Sequence, residues 1–262
     1  MTLRLPTLFV SHGAPTLILE PDNPAHRLLT TLADAVPARP KAIVVATAHW
    51  TTQAPRVGAA EKPSVIHDFY GFPEELFQLD YPAPGDARLA VRVKTLLDAA
   101  GLAADLDLGQ GLDHGVWVPL RLGWPAADIP VVPLAVQPAL GAAHHIALGR
   151  ALAPLADEGV LILGSGGAVH NLRAWRPGRT EPEVWAKRFD DMLTAAVESG
   201  DEATLSALAQ TAEGRQSHPT DEHYLPLLVA FGAAGRGATG QTLLRGLIDG
   251  SLGLGCYRFV QR

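Results

Sequence analysis

The strongest constraint on the fold is a set of short, nearly unbroken apolar runs: "TLFV" at 7–10, "AIVVATA" at 42–48, "IPVVPLAV" at 129–136 and "VLILGS" at 160–165. A strand with one wet face alternates apolar and polar residues, whereas a run without alternation needs cover on both faces, as inside a parallel sheet. Segments with helical apolar spacing lie between these runs, at 23–36, 85–101 and 147–159, the last two ending on Gly101 and Gly159, where a left-handed cap is favoured. This alternation predicts an α/β fold: a single domain, residues 1–262, with a mostly parallel central sheet flanked by helices on both faces in three α/β/α layers. Residues 183–212 read as two helices joined at Ser199–Asp201. A late helix is expected within "PTDEHYLPLLVAFGAAG", capped by Thr220 or Asp221, and "SLGLGCYRFV" as a last strand.

Charge and cysteine content narrow the chemistry. With 21 Lys and Arg against 27 Asp and Glu, the net charge of −6 offers no bulk basic surface for a phosphate backbone, so nucleic acid is not an expected partner. No apolar run approaches the roughly 18–20 residues that span a bilayer, and the N-terminus lacks a signal-peptide pattern; the expected location is cytoplasmic, without a membrane partner. The single cysteine, Cys256, excludes an internal disulfide and a thiolate-rich metal site, so any metal must be held by nitrogen and oxygen.

The ten histidines are therefore informative by position. His12 follows the first run, His49 the second, and His170 lies just beyond the fourth. In parallel α/β sheets, ligands bind outside the carboxyl ends of the strands, where successive loops converge. Three separate strands thus deliver imidazoles to one sheet edge, with His114 in "GLDHGVWVPL" and His223 in "DEHYLPLL" as candidates to join from a loop and a helix start. Neutral imidazole suits zinc or ferrous iron, and three protein ligands leave positions open for catalysis. His26, His144, His145 and His218 read as solvated surface residues. His67 belongs to an aromatic loop with Asp68, Phe69, Tyr70 and Phe72, which either walls a pocket or packs on the core by aromatic burial. The glycines of "GSGGAVH" match neither nucleotide-loop spacing and read instead as a close backbone approach or sharp strand exit; neither Ser11 nor Ser165 sits in a nucleophile elbow.

The ordered set "SHGAP", "ATAHW", "IHDFYGFP", "YPAPG", "LDHGVWVPL", "GSGGAVHNL" and "EHYLPLL", spread over residues 11–228, resembles the 4,5-DOPA extradiol dioxygenase family, within the class III, protocatechuate 4,5-dioxygenase B-subunit-like ring-opening enzymes. The resemblance implies that His12 and His49 bind a non-haem metal, Fe(II) in the active enzyme, with Zn(II) often occupying such sites. His223, beside Glu222, stands where the wider class has a carboxylate ligand. His170 is implied both as catalytic base and as a residue near enough to ligate the metal, and His114 as a group that hydrogen-bonds bound oxygen or returns a proton. The implied partners are a catechol such as 4,5-DOPA and O2, and the implied product is a muconic semialdehyde. Three neutral imidazoles would leave the full 2+ charge on the metal for a catecholate to neutralise.

Two other readings share these residues. One is a zinc-dependent hydrolase with His114 or Glu222 as base, against which no zincin pattern is present. The other is a non-catalytic metal-binding relative, against which the retention of both His114 and His170 argues.

Overall fold

A computed structural model describes residues 4–261. The strands are β1 (Thr7–Ser11), β2 (Ala42–Thr51), β3 (Arg56–Gly58), β4 (Asp105–Asp107), β5 (Val131–Val136), β6 (Val160–Gly166), β7 (Ala238–Leu244), β8 (Leu247–Ile248), β9 (Leu252–Gly253) and β10 (Cys256–Gln261). The helices are α1 (Pro24–Thr30), α2 (Ala87–Ala99), α3 (His114–Gly123), α4 (Gly141–Leu152), α5 (Val184–Ser199), α6 (Glu202–Ala207), α7 (Ala212–Ser217) and α8 (Leu225–Ala234). One eight-stranded sheet runs β4-β3-β5-β2-β6-β1-β10-β7. Its centre, β5-β2-β6-β1, is parallel, while the β3–β5, β1–β10 and β10–β7 junctions are antiparallel. The four apolar runs are these four central strands, and α/β alternation with helices on both faces is the observed architecture.

Burial on both faces explains the lack of alternation. Leu8, Val10, Ile43, Val45, Leu161 and Leu163 face the layer containing α1 and α3. Their neighbours Phe9, Val44, Ala46 and Ile162 face α2, α4, α5 and α8. Every residue of α8 is buried, so this helix needs no polar stripe. It reaches the sheet and α4 through missing side chains: a Cβ at Gly164 would lie 2.1 Å from the Pro226 carbonyl oxygen, and one at Gly149 2.0 Å from that of Val229.

The helical segments differ from expectation mainly at their ends. The helix expected over 23–36 is α1 followed by a 3-10 turn at Leu32–Ala35, and the one expected over 147–159 starts earlier, at Gly141, and closes in a 3-10 turn. Neither Thr220 nor Asp221 caps an amide with its side chain: Thr220 Oγ1 donates instead to Glu222, and Asp221–His223 form a separate 3-10 turn ahead of α8. The last strand divides into β9 and β10. His145 and His218, expected at the surface, are buried. His145 Nδ1–H donates to the Gly141 carbonyl while its Nε2 accepts from the Gln137 amide, and His218 Nε2 bonds to the Ala168 carbonyl; a buried imidazole with backbone partners is neutral and structural.

Candidate metal centre

The adjacent strands β2, β6 and β1 bring the site together at their carboxyl ends. His12 follows β1 directly; its amide is held by the Gly166 carbonyl, and Gly13, at φ +68°, turns the chain away in a conformation that favours glycine. His49 lies inside β2 rather than after it, in the stretch between Ala46 and Thr51 where the pairing with β5 shifts register. His223 sits in the 3-10 turn before α8, and its carbonyl accepts the Gly167 amide at 2.9 Å. A Cβ at Gly166 would lie 2.1 Å from that carbonyl oxygen, so the glycines of "GSGG" are the close backbone approach that seats His223 on the end of β6.

His12, His49 and His223 each offer a ring nitrogen, all within 4.8 Å of one another. Hydrogen bonding behind each ring decides which nitrogen is bare. Pro119, inside α3, has no N–H for the carbonyl of Gly115 four residues earlier, and the buried Ser165 hydroxyl donates to that carbonyl instead. Having spent its proton, Ser165 Oγ can only accept from His12 Nδ1, 2.9 Å away, which leaves His12 Nε2 as a lone pair. His49 Nδ1 faces the Asp68 carboxylate at 3.4 Å, and His223 Nδ1 faces Glu222 at 3.2 Å. The Nε2 atoms of His12 and His49 thus meet lone pair to lone pair at 3.0 Å, and the buried Nε2 of His223 has no protein partner. Three converging imidazole nitrogens, with the far nitrogens of His12 and His223 hydrogen-bonded and that of His49 facing a carboxylate, fit a first-row divalent cation.

Electrostatics keep the rings uncharged. Burial, reinforced by the neighbouring imidazoles, holds His12 well below the usual histidine range and His49 at about 2, so both rings are neutral at neutral pH. Burial works to raise the Glu222 carboxyl, yet bonds from His223, its own backbone and Thr220 hold it at about 2. Asp68 is likewise held below the usual carboxylate range, against burial, by side-chain and backbone bonds from His114. Two anions therefore stand directly behind the ligand set, a feature absent from the expectation of an uncompensated 2+ charge.

His170 is outside the three-nitrogen group. Its ring lies flat on that of His223, with centroids 3.5 Å apart and planes 7° from parallel, while its backbone is pinned by the Ser217 carbonyl and a bridge to Leu252. Burial, then His223 and His218, lowers it to about 3, so the ring is neutral at neutral pH. His114 is the first residue of α3, not part of a loop; its ring lies 3.8 Å from that of His49, and its Nδ1 bonds to Asp68 at 2.9 Å. All five candidate histidines thus share one cluster.

The aromatic loop supplies a wall. Phe69 meets His114 edge-on at 6.1 Å and packs against Phe72, Phe77 and Trp117. Trp117 is fully buried, Tyr70 is 90% exposed, and His67 is tied to the Leu79 carbonyl. A separate hollow of about 590 Å³, bounded by Lys62, His67, Phe77, Leu79 and Pro84, shares no residue with the histidine cluster, so chemistry rather than volume locates the site. Ser165 and Asp68 escaped sequence reasoning as orienting groups. The signals were present, in Pro119 four residues after Gly115 and in an aspartate beside His67, but both act through contacts between distant segments.

No helix among the described residues is long and apolar enough to cross a membrane. The sequence matches the family described as the catalytic LigB subunit of aromatic ring-opening dioxygenase over residues 6–245. It is 44% identical over 261 residues to a 4,5-DOPA dioxygenase extradiol of Portulaca grandiflora, covering 97% of this chain and 95% of the relative. A protein of the same name from Escherichia coli K12 is 42% identical over 235 residues, covering 88% and 85% of the two chains. The crystal structure of an uncharacterized E. coli K12 protein superposes with a TM-score of 0.83 at 36% identity, covering 97% of this chain and 99% of that one. The chain therefore belongs to the LigB family of aromatic ring-opening dioxygenases and is an enzyme of the extradiol class.

Proposed function

We propose that the protein is an Fe(II)-dependent extradiol dioxygenase that opens a catechol such as 4,5-DOPA with O2 to give a muconic semialdehyde, with His12, His49 and His223 as metal ligands. The observation that carries this reading is the convergence of three bare Nε2 atoms, each set by a partner behind its ring. Zn(II), which shares the affinity for imidazole, would occupy the same nitrogens without supporting the redox step. When bound, ferrous iron supplies open positions for both reactants and a route for electron density from the ring to dioxygen.

The rest falls to side chains. His170, stacked on His223 and outside the ligand group, is the base that takes a hydroxyl proton as the diol binds. His114, backed by Asp68, presents the Nε2 lone pair, takes the second hydroxyl proton of the diol and returns it as the O–O bond breaks. Phe69 shields His114 on one side, restricting water at the reacting face. In balance, the ring C–C bond beside the diol breaks and both atoms of O2 enter the product, one in the aldehyde and one in the carboxylate. The His170 and His114 assignments also separate this reading from a zinc hydrolase, which needs a water-activating base but not two imidazoles flanking the ligand set.

The test is anaerobic loading with Fe(II), followed by admission of oxygen with a panel of catechols. The expected result is uptake of one O2 per catechol with a coloured semialdehyde. No uptake with any diol, together with ester or amide hydrolysis by the zinc form, would replace this reading with the hydrolase.

A further inference from the structure

The Asp68 carboxylate has an unusual set of partners. Its Oδ1 accepts the backbone N–H of His114 at 2.9 Å, while its Oδ2 faces two imidazoles at once, His114 Nδ1 at 2.9 Å and His49 Nδ1 at 3.4 Å. The two rings lie 3.8 Å apart, tilted by 50°, so the oxygen that bonds His114 also lies beside His49 Nδ1. Because an ionised carboxylate only accepts, His114 must carry its proton on Nδ1, and the same charge close to His49 Nδ1 favours a proton there as well. That choice makes His49 Nε2 a lone pair for the metal and His114 Nε2 a lone pair for a proton. Other groups do this separately for the remaining ligands, Ser165 for His12 and Glu222 for His223.

We propose that Asp68 is a positioning residue that fixes, through one oxygen, the tautomer of a metal ligand and of the proton-handling His114, tying metal affinity to acid–base competence. The inference rests on the ligand and acid–base assignments proposed above and deepens them. Its specific consequence concerns Asp68→Asn. An asparagine that keeps its oxygen on the His114 backbone N–H turns its NH2 toward both Nδ1 atoms; in the other orientation, NH2 meets the backbone N–H. Both place donor against donor, and the first drives His114 to the Nε2–H tautomer.

The experiment uses zinc-loaded protein labelled with 15N-histidine, with tautomers read by long-range 1H–15N correlation and zinc affinity by chelator competition. Wild type is expected to show Nδ1–H at His114. Asp68→Asn is expected to move His114 to Nε2–H, leave His12 and the remote His145 as Nδ1–H, and weaken zinc binding by about 10–100-fold. With iron at saturation, catechol turnover should fall by about a further 10²-fold, the contribution of one acid–base group. Asp68→Glu keeps an acceptor and is expected to retain Nδ1–H at His114 and lose less than about tenfold in zinc affinity. Retention of Nδ1–H at His114 in Asp68→Asn, or equal zinc losses in the Asn and Glu variants, overturns the proposal. The unchanged His145 signal certifies the fold. The tautomer and zinc readouts involve neither catechol nor oxygen, so they stand even if wild type opens no ring.

Discussion

Replacing Ser165 by alanine probes the link from backbone to metal most sharply. The Ser165 hydroxyl is fully buried, donates to the carbonyl that Pro119 leaves without a helical partner, and accepts from His12 Nδ1. In Ser165→Ala the Gly115 carbonyl loses its donor, at about 1–3 kcal/mol for an unsatisfied buried group. Taking about 2 kcal/mol, Tm should fall by about 4–8 °C for a chain of this size. His12 has an alternative open to it: moving its proton to Nε2 relieves the stranded Nδ1–H and lets Nε2 donate to His49 Nε2, 3.0 Å away. That bond occupies both ligand nitrogens, and a metal must break it to bind. Zinc affinity, measured by chelator competition, should therefore drop about 10–100-fold, as for other losses of a group behind a ligand. Affinity within about threefold of wild type, alongside the expected loss in Tm, would show that Ser165 supports only the fold and would refute the tautomer argument; threefold is about 0.65 kcal/mol, less than one hydrogen bond.

Two further outcomes follow from the same geometry. Gly166→Ala puts a Cβ 2.1 Å from the His223 carbonyl oxygen, where backbone must move, so metal stoichiometry should fall well below one per chain while circular dichroism stays native; full stoichiometry would mean the 3-10 turn is not held by that approach. His145 is neutral in the fold, its pKa lowered by burial from an ordinary 6.5 to about 4, so the unfolded chain takes up a proton first on acidification. Stability of the metal-free protein should thus be full above pH 6.5 and fall progressively toward pH 4, with up to about 3 kcal/mol from this one group at about 1.4 kcal/mol per pH unit. Urea titrations that give a flat free energy between pH 7 and 5 would contradict it.

What was legible in the sequence depended on range. The central strands were readable because burial on both faces leaves an unalternating run, and a short run rich in β-branched residues such as "AIVVATA" favours a strand over a buried helix such as α8. Their carboxyl ends located His12, His49 and His170 because a parallel sheet converges there, and the ordered motifs identified the family. The flanking β3, β4 and β7 were not readable: β3 and β4 are three residues each, and β7, "ATGQTLL", is only half-buried, so none carries an apolar run. His145 and His218 looked like surface residues because their partners are backbone groups, the Gly141 and Ala168 carbonyls, which leave no trace in residue identity. The partners behind the ligands were hidden for a related reason. Ser165 reaches His12 across 153 positions and Asp68 reaches His114 across 46, separations that only the folded sheet closes.

Metal stoichiometry in four single alanine variants separates His12, His49 and His223, proposed as ligands through their bare nitrogens, from His170, proposed as base. One Fe(II) or Zn(II) per chain in wild type, lost in His12→Ala, His49→Ala and His223→Ala but kept in His170→Ala with turnover abolished, is the predicted result. Loss of the metal in His170→Ala, or its retention in His223→Ala, would move the ligand role from one ring of the stacked pair to the other.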